Sequence, residues 1–333
     1  MIKVLISFPF HNESPALRLP EDPEIQWIFN ENADDVDLWI VHEDLCSVKS
    51  LTVRARGAVL ITSEPPMQRR YPTSYFDQFD LVVTCHEARS RSAILNWQQC
   101  YPWHVGWSKN LESDEKKDGQ LSYKLLSGSA LPPKTKALSV VCSSDSRLPG
   151  HQKRLEFVRR LKDLLGDGLD WYGRGVRPID DKWSALSSYH YHLSLENSRL
   201  PHYWTEKIGD AFLAGCFPIY WGAPNIDLYF DPSGFEVIDL SEPRKACEQI
   251  STLIAKVPSE SMLAGVVRNR AAVLDDYSYR GFVSAFYSRF SSRPLRAISV
   301  QSLRCYRGTG WRLMERGFRF PQRLSYTLGR GIK

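Results

Sequence analysis

The chain has 333 residues, a formal net charge of +5, and 43% apolar, 12% aromatic and 24% charged residues. That length exceeds one ordinary core and the composition suits a globular chain, so two domains are expected. No run of about 18 apolar residues occurs, which excludes a membrane-spanning helix in the sequence. The seven cysteines are scattered with no C-x-x-C pair, a pattern of reduced cytoplasmic thiols rather than a zinc site.

The first region, 1–130, alternates strand and helix patterns. Met1 to Phe8 reads as a short strand and lacks the basic, apolar and cleavage-site order of a signal peptide. Further strands are expected at Val36 to Val41, Ala58 to Thr62 and Leu81 to Thr84, and their continuous apolar character favours a buried parallel sheet. The third runs into Ser63-Glu64-Pro65-Pro66, which sets a carboxylate at a strand's carboxyl end and stiffens it with two prolines. Tyr101 to Trp107 is dense in aromatics around His104. A loop that packs on a sugar and a stretch of ordinary core aromatics both fit it. Residues 110–136 are polar, aperiodic and end near Pro132-Pro133, so they read as a linker.

A second α/β region is expected at 131–290. It opens with a strand from Ala137 to Cys142, and then Leu155, Val158, Leu161, Leu164 and Leu165 mark an amphipathic helix. Leu169 to Gly173 is the next strand, followed by Gly173-Arg174-Gly175-Val176-Arg177, whose glycines admit a close ligand and whose arginines offer forked donors for phosphate. Tyr191, Leu193 and Leu195 alternate with His190, His192 and Ser194 in a half-covered strand that runs straight into Glu196 and Asn197. Thr205 is a good N-cap for a helix through Phe212, Gly215 closes it, and Phe217 to Trp221 is the following strand. Glu196, Asn197, Tyr203, Thr205, Glu206 and Lys207 therefore crowd one strand–helix junction, where helix N–H groups and Lys207 suit a diphosphate and the carboxylates suit sugar or ribose hydroxyls. A plain capped helix, with Glu206 favouring the dipole and Lys207 solvated, is the bland alternative. Phe235 to Leu240 reads as a fifth strand and 241–290 as helices that pack this second region.

Residues 291–333 carry nine arginines and one lysine against one glutamate, a net of +9, which leaves −4 for the rest of the chain. Trp311, Met314 and Phe318 fall on one helical face, ringed by arginines and interrupted by glycines, a pattern that suits an anionic membrane surface; nucleic acid is the alternative for such a charge block, and a solvated tail is the bland one.

The ordered set Glu196-Asn197-Ser198, Tyr203-Trp204-Thr205-Glu206-Lys207 and Phe217-Pro218-Ile219-Tyr220-Trp221-Gly222 resembles the signature of the α-1,3-fucosyltransferases, glycosyltransferase family ten. The resemblance reaches back through Tyr172-Gly173-Arg174-Gly175 to Cys142-Ser143 and forward to Ser233-Gly234-Phe235, roughly 138–240 in all. It implies an α/β fold of GT-B type, two Rossmann-like domains facing a cleft, with 1–130 binding the acceptor, 131–290 binding the GDP-sugar donor and 291–333 forming a basic tail. It implies inverting transfer of L-fucose from GDP-fucose to a glycan hydroxyl, expected at O3 of GlcNAc or Glc, in surface polysaccharide or lipopolysaccharide synthesis. The site residues follow by the same resemblance. Glu64 would be the catalytic base, and Arg177, with Arg174 as competitor, would hold donor phosphate beside Lys207 and the Thr205-capped helix. Glu196, Asn197 and Glu206 would bind hydroxyls, and Tyr203 would touch the donor. No metal is demanded: Asp180-Asp181 is not in a convincing strand-end setting, and His190 and His192 share a strand face without a third ligand, so a divalent ion is at most stimulatory. Eukaryotic members carry an anchor and stem that this sequence lacks, so a bacterial-type member in the cytoplasm is expected, peripheral on the inner face of the membrane, with no nucleic-acid partner. The chain departs from the family at Tyr189-His190-Tyr191 and at Trp204, which leaves open another GDP-linked deoxysugar, or a non-catalytic GDP-sugar-binding scaffold.

Overall fold

The computed structural model describes residues 1–9, 22–30, 33–100, 102–106, 121–144 and 149–306. The first half holds strands β1 (Ile2–Ser7), β2 (Ile25–Phe29), β3 (Leu38–His42), β4 (Ser50–Ala55), β5 (Ala58–Ile61), β6 (Leu81–Val83) and β7 (Ala93–Leu95), with a short helix α1 (Thr73–Phe76). All but β4 form a six-stranded parallel sheet in the order β2-β1-β3-β5-β6-β7. Residues of alternate parity face opposite layers, so Val4 and Ile6 enter one core while Leu5 enters the other. The unbroken apolar runs of β3 and β5 follow from burial on both faces.

The second half starts with α2 (Tyr123–Gly128), capped by the Ser122 hydroxyl, which accepts from Leu125 N–H. This helix lies where the sequence suggested a bare linker; Leu126 is fully buried, Tyr123 packs on the same core and reaches Asp275 with its hydroxyl at 2.7 Å, and these contacts anchor it. Strands β8 (Lys136–Val141), β9 (Leu169–Tyr172), β10 (Tyr189–Leu195), β11 (Phe217–Trp221) and β12 (Glu236–Val237) form a parallel sheet ordered β12-β11-β10-β8-β9. Around it lie α3 (Pro149–Leu165), α4 (Trp183–Leu186), α5 (Glu206–Leu213), α6 (Pro243–Ile254) and α7 (Glu260–Asp275).

In each sheet the first strand lies between the second and third, so the connections leave in opposite directions: β1 beside β3 in one half, β8 beside β10 in the other. Such switch points open a crevice at the carboxyl ends of the strands. Two parallel-sheet α/β halves whose carboxyl ends face one another make the GT-B arrangement.

The expected boundaries need correction at the C-terminal side. Helix α8 (Tyr279–Phe286) does not pack on the second half; Tyr279, Phe282, Val283 and Phe290 join the core made by β1, β3, β5 and β6. The 291–333 segment is not a tail from its start either. Strand β13 (Arg296–Gln301) pairs antiparallel with β4, with Ile298 and Val300 buried in the other core of the first half. The first sheet needed cover on both faces, and the chain returns to supply it. The expected amphipathic face at Trp311, Met314 and Phe318 lies outside the described residues, as do Tyr101 and Trp107. No helix among the described residues is long and apolar enough to cross a membrane.

Candidate active site

The first half brings its chemistry to the ends of β3, β5 and β6. After β5, Thr62 and Ser63 are buried, and the Thr62 hydroxyl meets that of Thr84 at 2.8 Å. The next residue, Glu64, has its backbone held at both ends. Its N–H donates to Glu43 Oε1 at 2.9 Å, and its carbonyl meets His86 Nε2 at 2.8 Å. Its carboxylate makes no hydrogen bond or ion pair with any described residue, and burial followed by the nearby Glu43 charge raises its pKa above the ordinary glutamate value. Lys207 lowers that pKa and Glu206 raises it, so the carboxyl of the first half is within electrostatic reach of the second half's helix end.

In the second half, β10 delivers Glu196 and Asn197 to the cleft. Glu196 is fully buried and its acceptor capacity is taken up: Oε1 accepts Thr205 N–H at 2.7 Å and the Thr205 hydroxyl at 2.9 Å, while Oε2 faces Lys207 Nζ at 3.2 Å. The sequence reading of Glu196 as a hydroxyl ligand is therefore replaced by a supporting one. It fixes the N-cap and the ammonium that follow it, and the reason is that Thr205 and Lys207, two residues apart at the start of α5, both aim their donors back at the strand end. Thr205 caps α5 as expected, its oxygen accepting from Lys207 N–H at 3.4 Å. Asn197 reaches Gln68 Oε1 of the first half at 3.4 Å, and its own Oδ1 is buried with no partner among the described residues.

Glu206 sits among cations. Lys182 Nζ lies 3.1 Å away, Lys207 Nζ 3.7 Å and His104 Nδ1 3.7 Å. Burial alone would raise its pKa, but Lys182 and then Lys207 hold the carboxyl well below the usual range. Lys182 also pairs with Asp210 at 2.9 Å, and the two carboxylates overcome burial to keep it firmly protonated. Asp210 Oδ1 accepts the backbone N–H of His104 at 2.7 Å and of Val105 at 3.3 Å, while Asp181 accepts that of Gly106 at 2.8 Å. The Pro102 to Gly106 stretch is thus strapped to α5. Trp103 and Val105 are core residues, so of the described part of this stretch the aromatic ring is packing, while His104 lies beside Glu206.

Tyr203 and Trp204 are almost completely buried, and Trp204 packs against Tyr229, Phe230 and Tyr277. The Trp204 ring is thus accommodated by an aromatic cluster. Arg177 is not brought to the cluster. Gly173 at φ 139° starts a tight turn closed by Gly173 N–H to the Arg177 carbonyl at 2.8 Å. This folds the arginine back along the edge strand, 4.6 Å over the Tyr172 ring and 3.7 Å from Asp170. Arg174 is exposed on the same turn.

The arginine nearest the strand ends is Arg154, which sequence reading passed over. It is buried on the inner face of α3, donates to the Leu195 carbonyl at 3.2 Å and leaves Nε without a partner among the described residues. The first turn of α3 presses so close to the strand end that a Cβ on Gly150 would strike the Asn197 carbonyl. The signal was present: an arginine adjoins Leu155 and lies four residues before Val158 on a helix with a marked apolar stripe. Among the described residues no group of three or more His, Cys, Asp or Glu side chains is placed to hold a metal ion. His192 is instead buried against the Ser139 hydroxyl at 2.8 Å, with its pKa depressed by burial to about 3.

Residues 131–257 match the sequence model of the glycosyltransferase family 10 (fucosyltransferase) C-terminal domain. The chain is 31% identical over 166 residues to the alpha-(1,3)-fucosyltransferase FucT of Helicobacter pylori, a match over 50% of this chain and 33% of that protein. The chain therefore spans about a third of that relative's length. Among solved structures it is similar to an alpha1,3-fucosyltransferase with GDP, at 18% identity and a TM-score of 0.45 over 83% of this chain and 92% of that one. A structure of an alpha1,3-fucosyltransferase with GDP-fucose is similar at 17% identity and a TM-score of 0.44, over 82% of this chain and 90% of that one.

Proposed function

We propose that this chain, whose residues 131–257 match the sequence model of the glycosyltransferase family 10 C-terminal domain, is an inverting α-1,3-fucosyltransferase that moves L-fucose from GDP-fucose to a glycan hydroxyl. The observation that carries the reading is the opposition across one cleft of Glu64, a carboxylate without a hydrogen-bonding partner among the described residues, and a cationic helix end, Lys207 with the Thr205 cap. Breaking a sugar–phosphate bond builds positive charge on the ring and negative charge on the departing diphosphate, while the attacking hydroxyl must lose a proton. The two sides of this cleft divide those tasks.

On the donor side, Lys207, the free N–H groups of the first turn of α5 and the buried Arg154 would hold the diphosphate. Glu196 would keep Lys207 extended and Thr205 in its cap rather than touch the sugar. Glu206 lies beside Lys207 and suits the ring's developing positive charge or a ribose hydroxyl. Asn197, whose buried carbonyl oxygen has no partner among the described residues, suits a donor hydroxyl. On the acceptor side, Glu64 would take the proton, and its raised pKa makes it a stronger base than an exposed glutamate. Attack from the Glu64 side, opposite the departing GDP, gives inversion.

The seat of action would be the cytoplasm, with the arginine-rich segment beyond Tyr306 on an anionic membrane face where lipid-linked glycans are built. The test is GDP release from GDP-fucose with LacNAc, lactose and lipopolysaccharide-core acceptors, and with proton NMR of the product's anomeric centre. Acceptor-dependent release with an α-linked product from the β-linked donor is expected, collapsing in Glu64→Gln. GDP binding with no release for any acceptor would refute the transferase reading.

A further inference from the structure

Glu43 is a buried charge that the transfer step does not use. It follows β3, at the switch-point side of the first sheet, and takes a left-handed backbone at φ 71°, a region that non-glycine residues avoid. That conformation turns its side chain beneath the end of β5. One carboxylate oxygen accepts the backbone N–H of both Ser63 and Glu64, and the other accepts the Tyr71 hydroxyl at 2.6 Å and pairs with Arg69. Its backbone is fixed as well, by Glu43 N–H to the Ile61 carbonyl at 2.8 Å and by the Tyr75 hydroxyl on its carbonyl at 3.1 Å. Neighbouring His42 is tied at one nitrogen to Ser63 and at the other to Tyr279 of α8 at 2.6 Å. The ends of β3 and β5, the 69–75 segment and α8 are thus tied together at this corner.

We propose that Glu43 is a positioning residue for Glu64: its carboxylate clamps the two N–H groups of the turn that carries Glu64 and sets a fixed negative charge behind the carboxylate that accepts the proton. This rests on the reading of Glu64 as the base. The division of labour follows from hydrogen bonding. Two carboxylates share the corner, and the one saturated with donors stays ionised while the one left without donors holds its proton more readily. The groups that face Glu64 are Glu43 from the end of β3, Arg69 and Tyr71 from its own loop, Cys85 and His86 from the end of β6, and Glu206 and Lys207 from α5. Arg69 balances Glu43 locally, so the two have opposite effects on Glu64.

That opposition gives the test. Carboxyl-carbon NMR titration of protein labelled at glutamate Cδ reads Glu64 directly, its resonance assigned as the one lost in Glu64→Gln. Removing the like charge in Glu43→Gln is expected to lower the Glu64 midpoint by about one pH unit. Removing the balancing cation in Arg69→Gln is expected to raise it. Acceptor-dependent GDP release with LacNAc should fall about tenfold in kcat for Glu43→Gln, with the KM for GDP-fucose unchanged. Should Glu43→Gln not fold, Arg69→Gln carries the test alone, because Arg69 is partly exposed. A Glu64 midpoint that stays in place in the variants that fold overturns the proposal and leaves Glu43 a packing residue. Full turnover in Glu64→Gln instead overturns the base assignment, whatever the titration shows.

Discussion

Replacing Glu196 by Gln separates a residue that supports the site from one that touches the sugar. The carboxylate is fully buried and holds Thr205 N–H, the Thr205 hydroxyl and the Lys207 ammonium. Glutamine keeps one oxygen for Thr205 N–H but offers an amide N–H toward Lys207. Hydrogen bonds to a charged group stabilise by about 1.5–3 kcal/mol and neutral ones by about 1. Weakening two of them therefore costs about 2 kcal/mol, the rest being softened because Lys207 is one-fifth exposed and retains Glu206 at 3.7 Å. At about 2–4 °C per kcal/mol for a unit of this size, Tm should fall by about 4–8 °C. With Lys207 released from the strand end, GDP and GDP-fucose should weaken by the same factor, about tenfold, in calorimetric titrations. Intact GDP affinity with selective loss of GDP-fucose affinity and no change in Tm would refute the argument and make Glu196 a sugar ligand.

The remaining expectations concern charge placement and the returning C-terminal chain. Arg154→Met should weaken GDP binding about tenfold or more, one charge-assisted contact's worth, while Arg177→Ala, stacked on Tyr172 and largely exposed, should stay within about twofold; calorimetry decides, and the reverse ranking would restore the glycine-rich loop as the phosphate site. Glu206 has a folded-state pKa held well below its unfolded value of about 4.3, so its contribution is complete above that pH and is lost as the pH falls toward the folded value. Urea midpoints should therefore decline below about pH 4.3 in the native chain and decline less in Glu206→Gln. Deleting 295–333 removes β13 and uncovers the edge of β4 with Val53, so insoluble protein is expected; deleting only 307–333 should leave GDP affinity intact and abolish sedimentation with phosphatidylglycerol vesicles.

The sheet architecture was legible because buried parallel strands announce themselves. The runs at Leu38–His42 and Ala58–Ile61 are apolar throughout, and each ends in polar residues at the carboxyl edge. The strand–helix unit from Tyr189 to Trp221 could be read from an N-cap and a closing glycine, but the strand is not half-covered as its alternation suggested: His192 and Ser194 are buried too, because the strand lies inside the sheet and is covered on both faces. The return of the chain could not be read. Nothing local in Tyr279–Phe286 says which of two apolar sheets its face will meet; the choice is made by shape, by a hydroxyl that finds His42 and by Phe290 lying where Gly57 leaves room for its ring. Strand β13, with alternate burial in a basic stretch, was masked by its charge.

The same limit separates the candidate-site residues that the sequence offered from those that it did not. Glu64, Thr205 and Lys207 sit at element ends, where sequence order fixes their place to within a turn of chain. Arg154, Lys182 and Asp210 act through distance in space, and their partners are 41, 24 and 106 residues away. A charge inside an apolar stripe is the one trace such residues leave in a sequence, because burying it is costly unless something waits to receive it. Arg154 shows that trace, and its Nε has no partner among the described residues. Glu43 leaves no trace at all: its role depends on a left-handed residue that turns an ordinary-looking acid beneath the next strand. Residues placed to support a proposed base or cation are therefore harder to read than the proposed base or cation itself, since their meaning lies in which backbone N–H groups they meet rather than in their spacing along the chain.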